Sequence, residues 1–194
     1  MHIATDYAPL EVQREAFARN RFLAMPLAGA IVWGAVLVAG LLLPQAAATW
    51  VLFIATGSIA WLGMGLSKLT GEDFFDKTRP KNAFDSLFFH GMGQAMLAFG
   101  IAVPFALVDI NAAAMGFGIV AGLMWVPMSW ILRHWIGWFH AVARTLLVVA
   151  AWFLFPGYQL LAVPLVIIAV YIVTIVVMER RWRAANAPVS VAVG

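Results

Sequence analysis

Six apolar runs, at approximately 22–43, 48–67, 87–108, 112–132, 137–155 and 159–178, dominate the chain. A hydrocarbon core roughly 30 Å thick needs about 20 apolar residues per helix. A soluble domain of 194 residues has no interior large enough to hide six such segments. In lipid the backbone must satisfy its own hydrogen bonds, so each run is expected as a helix. The expected fold class is therefore all-α, a polytopic membrane protein with six transmembrane helices. The composition, 64% hydrophobic and 11% charged, agrees.

The positions of the 12 Lys and Arg say more than their excess over 9 Asp and Glu. Arg14, Arg19 and Arg21 precede the first run, and Lys68, Lys77, Arg79 and Lys81 separate the second from the third. Arg133 and Arg144 bracket the start of the fifth, and Arg180, Arg181 and Arg183 follow the sixth. The alternate connections, near PQAAAT, DIN and FPGY, carry no basic residue. Cytoplasmic loops retain Lys and Arg during insertion, so both termini are expected to be cytoplasmic. Three parts follow. Residues 1–21 form a cytoplasmic amino-terminal interfacial helix, with Asp6 and Pro9 at its start and a Glu15–Arg19 pair one turn apart. Residues 22–183 form the six-helix domain, with a charged cytoplasmic loop at 68–86, and residues 184–194 form a flexible tail. The first 21 residues mix both charge signs without an apolar core, unlike a signal peptide.

Several features have ordinary packing explanations. Ala114, Gly118 and Gly122, spaced by four, let another helix come close, first of all one within the same monomer. Most of the nine tryptophans fall near the membrane interfaces as an aromatic belt. Trp33, Trp61 and Trp125 are deep enough to be core side chains or to line a cavity. Pro104, Pro127 and Pro164 are expected to kink spans three, four and six.

The polar residues inside the runs are harder to explain. At 100° per residue, His140 and Arg144 each lie within about 20° of Arg133 on span five. Arg144 sits several residues inside the apolar run, where an unpaired guanidinium costs at least ~2–3 kcal/mol. On span three, His90 and Gln94 are one turn apart and continue the face of Ser86. Both spans enter from the same side, so His90, Gln94, Arg133, His140 and Arg144 form a candidate polar cleft. The segment GEDFFDKTRPKNAFDS at 71–86 supplies a candidate cap over it, with Glu72, Asp73, Asp76, Arg79 and Asp85 available to pair with the arginines. The plainer readings are topological anchoring by Lys77, Arg79 and Lys81, a snorkelling or ion-paired Arg144, and hydrogen-bonded interior histidines.

Catalytic chemistry finds little support. The chain has no cysteine, which removes disulfides, thiolate metal sites and cysteine nucleophiles. His134 and His140 point different ways, and no helical HxxH or HxxxH pair exists, so no metal site is expected. Lys, Arg-Pro, His, Arg and His occur in the order used by membrane lipid phosphatases, but the Pro-Ser-Gly-His element is missing. No phosphate loop, serine elbow, nucleic-acid motif or cofactor signature is present. No catalytic residue and no cofactor are therefore expected.

The segments LEVQREAFARNRFLAMPLAG, TGEDFFDKTRPKNAFDSLFF, AGLMWVPMSWILRHWIGWFHAVART and MERRWR together resemble a family of small multi-pass bacterial membrane proteins catalogued as a domain of unknown function. The resemblance covers roughly residues 11–183. It implies a bacterial inner membrane and six helices, and it carries no activity or site.

Three functions compete. The first is a small transporter, channel-like or binding protein whose polar cleft takes a small anion or a lipid headgroup. A membrane enzyme acting on lipid lacks a nucleophile, so the sequence leans away from catalysis. A structural partner docking through the charged loop gives no purpose to Arg144. The expected partners are the lipid bilayer and a small anion or headgroup, not nucleic acid; the sequence does not set the oligomeric state. Reporter fusions at Gln45, Asn111 and Gly157 should read out on the external side, and fusions at Lys77 and the carboxyl terminus on the cytoplasmic side. A cytoplasmic signal at Asn111 contradicts this topology.

Overall fold

A computed structural model of the protein describes residues 8–76, 78, 80 and 82–187. Asp6, the loop residues Lys77, Arg79 and Lys81, and all but the start of the 184–194 tail lie outside the described residues. Within the described residues the secondary structure is helical: α1 (Leu10–Ala18), α2 (Ala24–Leu42), α3 (Gln45–Thr70), α4 (Ala83–Val108), a 3₁₀ turn (Ile110–Ala112), α5 (Ala113–Leu123), α6 (Trp125–Leu132), α7 (Ile136–Leu154) and α8 (Gln159–Ala185). Six segments are long and apolar enough to cross a membrane: α2, α3, α4, the combined stretch Ile110–Leu132, α7 and α8. They coincide with the six apolar runs to within a few residues, except that α8 extends seven residues past the last run.

Proline acts unequally. Pro127 has no N–H to offer the carbonyl of Leu123, and the fourth span breaks into α5 and α6 at Met124. Pro104 and Pro164 lie inside the uninterrupted helices α4 and α8, where kinks were also expected.

Small side chains set the packing. Ala28 and Ala39 on α2 and Ala48 on α3 are buried, and the two helices pack closely along much of their length. Ala114, Gly118 and Gly122 are buried within the chain on α5, so this stripe serves internal packing. Trp33 and Trp125 are buried, whereas Trp61 is 72% exposed and is no core residue. Periodicity could not have set its direction, because both faces of a membrane helix are apolar.

One end of the bundle gathers the described charged residues apart from Asp109 and Arg144. Arg21 makes a two-pronged bond to Glu179, with Nε 2.8 Å and Nη2 3.0 Å from the carboxylate oxygens, and donates to the Thr70 carbonyl. Arg14 donates to the carbonyl of Ile131, and Arg181 to that of Asn20. Gln13 on α1 receives the amide of Ala83 at 2.9 Å and so caps α4, while Asn82 accepts from Phe84 and donates to the Gln13 carbonyl. These bonds tie α1 to the ends of α4 and α6, and fix the ends of α3 and α8 beside them. The opposite end is held by neutral groups, with Gln45 donating to the Asn111 side chain at 2.6 Å and Trp152 to its carbonyl.

The helix α4 stands apart. Only 11% of its apolar window is buried, against 44% for the fourth segment. It packs against α5 and, near its start, against α1. Toward α3 it leaves a cleft.

Candidate functional site

Two polar arrangements interrupt the apolar interior. The deeper one centres on Arg144 of α7, which is fully buried together with His140. Arg144 Nε donates to the Gly118 carbonyl at 2.6 Å, and Nη1 donates to the Tyr171 hydroxyl at 2.9 Å and meets His140 Nε2 at 3.4 Å. The guanidinium carbon lies 5.1 Å from the Tyr171 ring centre and 5.6 Å from that of Trp33. No described carboxylate pairs with it. Charge-assisted hydrogen bonds contribute about 1.5–3 kcal/mol each, and a desolvated cation–π contact about 2 kcal/mol. Together they offset the ~2.5–3.5 kcal/mol cost of an arginine at mid-membrane depth.

The network has one direction. A guanidinium only donates, so His140 Nε2 accepts and the ring hydrogen resides on Nδ1. Nδ1 therefore donates to Thr174 Oγ1, 2.8 Å away, and Thr174 passes its own hydrogen to the Val170 carbonyl at 2.8 Å. The His140 ring also stacks on Trp125, with centres 4.4 Å apart. Glycine makes the room. A Cβ on Gly122 would stand 2.8 Å from Arg144 Cδ, and one on Gly29 would overlap the Tyr171 ring. Residues from α2, α5, α7 and α8 thus converge on a single cation, and α6 joins them through His140. Arg144 Nη2 and Trp33 Nε1 are buried with no partner among the described residues.

The second arrangement lies between α3 and α4. An apolar cavity of about 300 Å³ is lined by Met25, Met92, Met96, Phe99 and Tyr171, among others. It adjoins, sharing Phe22, Glu72, Phe74 and Phe88 as walls, a more polar vestibule of about 800 Å³ that Asn20, Asp73 and Asn82 help to line. Glu72 stands where the two meet. Gly71, at φ +78°, ends α3 in the left-handed conformation that glycine adopts without cost. The chain turns back, and Glu72 Oε1 accepts the amides of Leu23 and Ala24 at 2.8 and 2.7 Å. These are unsatisfied N–H groups at the start of α2, whose N-cap residue, Leu23, offers no side-chain oxygen. Glu72 is 4% exposed, and its Oε2 has no partner among the described residues.

The expected five-residue cleft is not assembled. His140 and Arg144 are together in the core, but Arg133 ends α6 and pairs with Glu11 at 2.7 Å on the surface. Glu11 is held below its ordinary carboxylate range, chiefly by the hydrogen bond from Arg14, with Arg133 adding to it. His90 and Gln94 lie on the exposed side of α4, and His90 Nδ1 donates to the Ser86 carbonyl of its own helix. The depth of two polar stripes does not fix the rotation of the helices that bear them. His134, beside Arg133, lies below its usual pKa, first through burial and then through Arg181.

The loop does fold back, onto a different target from the one expected. Glu72 caps α2 instead of an arginine. Asp73 bonds the amide of Phe75, and Asp76 that of Thr78. Asp85, in the first turn of α4, also lines the vestibule. Sequence reasoning missed Tyr171 and Thr174, which look like ordinary members of an apolar run. Their spacing of three on α8 was the available signal.

A sequence model for a family of unknown function, DUF7010, matches residues 11–181. The chain belongs to this family. The match spans α1 through most of α8 and includes Glu72, His140, Arg144 and Tyr171. No curated protein and no solved structure matches the chain.

Replacing Arg144 by Leu should lower stability in detergent by about 2–3 kcal/mol, seen as a lower melting temperature. Arg144→Lys should recover little, because an ammonium cannot reach Gly118, Tyr171 and His140 in one plane. Lys68→Ala, at an exposed site, should change stability by about 0.5 kcal/mol or less. Equal stability of the Leu variant and wild type contradicts a structural hub at Arg144.

Proposed function

We propose that this multi-pass membrane protein is a small binding or transport protein of a bacterial inner membrane, with both termini cytoplasmic, that takes an amphiphilic ligand between α3 and α4. The observation that carries the reading is the cleft itself. Its apolar part is embedded among membrane-spanning helices, and it shares walls with a polar vestibule at the charge-bearing end. A ligand with an apolar tail and a polar head matches that division. The cavity of about 300 Å³ is at the small end of the range for ligand sites. Five methionines, Met25, Met92, Met96, Met124 and Met128, line it, and unbranched thioether side chains adapt to irregular apolar shapes. The weak embedding of α4 supports lateral entry from the bilayer, since few internal contacts resist its movement.

The basic residues at the charged end support a cytoplasmic assignment for that end. The Arg144 network acts in this reading as the fixed part of the bundle, and Tyr171 links it to the cleft wall.

The test is to fill the cleft. Gly57 lines it, and a Cβ there meets no atom within 4 Å, so Gly57→Trp should occupy the space without disturbing the fold. Wild-type protein purified gently should carry an amphiphile detectable by native mass spectrometry, and Gly57→Trp should lose it at unchanged melting temperature. Equal amphiphile content in both proteins, or none in wild type, overturns the reading.

A further inference from the structure

We propose that Glu72 is the recognition group of this cleft and that the ligand is an amphiphile with a protonated primary amine head. The inference rests on the cleft reading above and adds the chemistry of the head.

Glu72 divides its two oxygens between two tasks. Oε1 takes both α2 amides, which fixes the carboxylate in place at the positive end of a helix. Oε2 is left buried and without a partner among the described residues, on a side chain that lines both the apolar cavity and the vestibule. A buried carboxylate oxygen without a donor is costly, and the group that removes that cost must bring an N–H or O–H to the junction of the two spaces.

Three observations favour an ammonium. A cationic donor meets a carboxylate in a charge-assisted bond, which is roughly twice as strong as a neutral one. Arg21, whose charge is felt at Glu72, is engaged by Glu179 through both Nε and Nη2, with Nη1 on Thr70, so it does not occupy Oε2. Aromatic rings surround the junction: Phe22 already holds the Arg181 guanidinium 5.8 Å from its centre, and Phe74 and Phe88, centred 6.1 Å apart, are rings of the kind that attract a cation. The tail of such a ligand runs past Met92 and Met96 into an almost wholly apolar space. An anionic head at the same point meets the Glu72 charge and is repelled.

An amine head with an apolar tail can come from the bilayer, as phosphatidylethanolamine, or from a free alkylamine, and the experiment separates them. Full-length protein is placed in nanodiscs of phosphatidylcholine, and binding of dodecylammonium and of dodecanol is measured by calorimetry. Wild type should bind dodecylammonium at least about tenfold more tightly than dodecanol. Glu72→Gln keeps an oxygen for the Leu23 and Ala24 amides but removes the charge. It should erase the preference while leaving dodecanol binding unchanged. Gly57→Trp should abolish binding of both. If Glu72→Gln fails to fold, the wild-type comparison of the two ligands, together with dodecyltrimethylammonium, which has a charge but no N–H, still decides. The proposal expects the trimethyl compound to bind more weakly than dodecylammonium. Enrichment of phosphatidylethanolamine over phosphatidylcholine in protein purified from a mixed bilayer assigns the site to a membrane lipid. Dodecylammonium binding without such enrichment assigns it to a free amine. Equal binding of dodecylammonium and dodecanol, with Gly57→Trp still abolishing both, overturns the head-group assignment and leaves the cleft reading intact. No binding of either ligand by wild type overturns both.

Discussion

A single buried cation organises the interior of this protein. Arg144 lies in the middle of a membrane-spanning helix and has no described carboxylate partner, so its charge must be met by dipoles and rings. Those come from the Gly118 carbonyl, the Tyr171 hydroxyl, the His140 ring and the faces of Tyr171 and Trp33. Because each lies on a different turn or a different helix, the arginine gains these partners only when α2, α5, α7 and α8 are in register. Between apolar helices in lipid there is little hydrophobic force to set that register. A polar hub supplies it. The buried glycines follow from the same constraint, since Gly122 and Gly29 yield the space that the arginine and its tyrosine occupy.

The charged end obeys a different rule. There the backbone is the group in need, because helices that start or end near the membrane surface leave amides and carbonyls unsatisfied. Glu72 covers the start of α2, Gln13 and Asn82 the start of α4, Arg14 the end of α6, and Arg21 the end of α3. The charged loop between α3 and α4 is therefore part of the fold. It also leaves one Glu72 carboxylate oxygen buried without a partner among the described residues, because a cap with two oxygens has met two amides with one of them. The rigid core and the open side of the molecule meet at Tyr171, which touches both.

The six spans were legible because about 20 successive apolar residues have few other uses, and Arg144 was conspicuous because a charge at that depth demands an explanation. The pairing of His140 with Arg144 was legible as well, being one turn of one helix. What could not be read was which helices supply the partners. Tyr171 and Thr174 are hidden in an apolar run, and the oxygen that receives Arg144 Nε belongs to a glycine backbone. His90 and Gln94 form a polar stripe as clear in sequence as the one on α7, yet α4 turns it outward. Glu72 was noticed for its charge, but its role depends on the absence of a capping side chain at Leu23, a negative signal that is easily overlooked. Trp61 was misplaced because a lipid-facing tryptophan and a core tryptophan look alike in an apolar sequence.

The most direct measurement of the hub is the protonation pattern of His140, read from nitrogen-15 spectra of histidine-labelled protein in lipid. The donor chain from Arg144 through His140 and Thr174 to the Val170 carbonyl requires a neutral ring with hydrogen on Nδ1 and a bare, hydrogen-bonded Nε2. Finding that pattern, and losing the hydrogen-bonded Nε2 signal in Arg144→Leu, is the predicted result. A ring protonated on Nε2, or on both nitrogens, contradicts the account, because a guanidinium cannot accept a hydrogen from it.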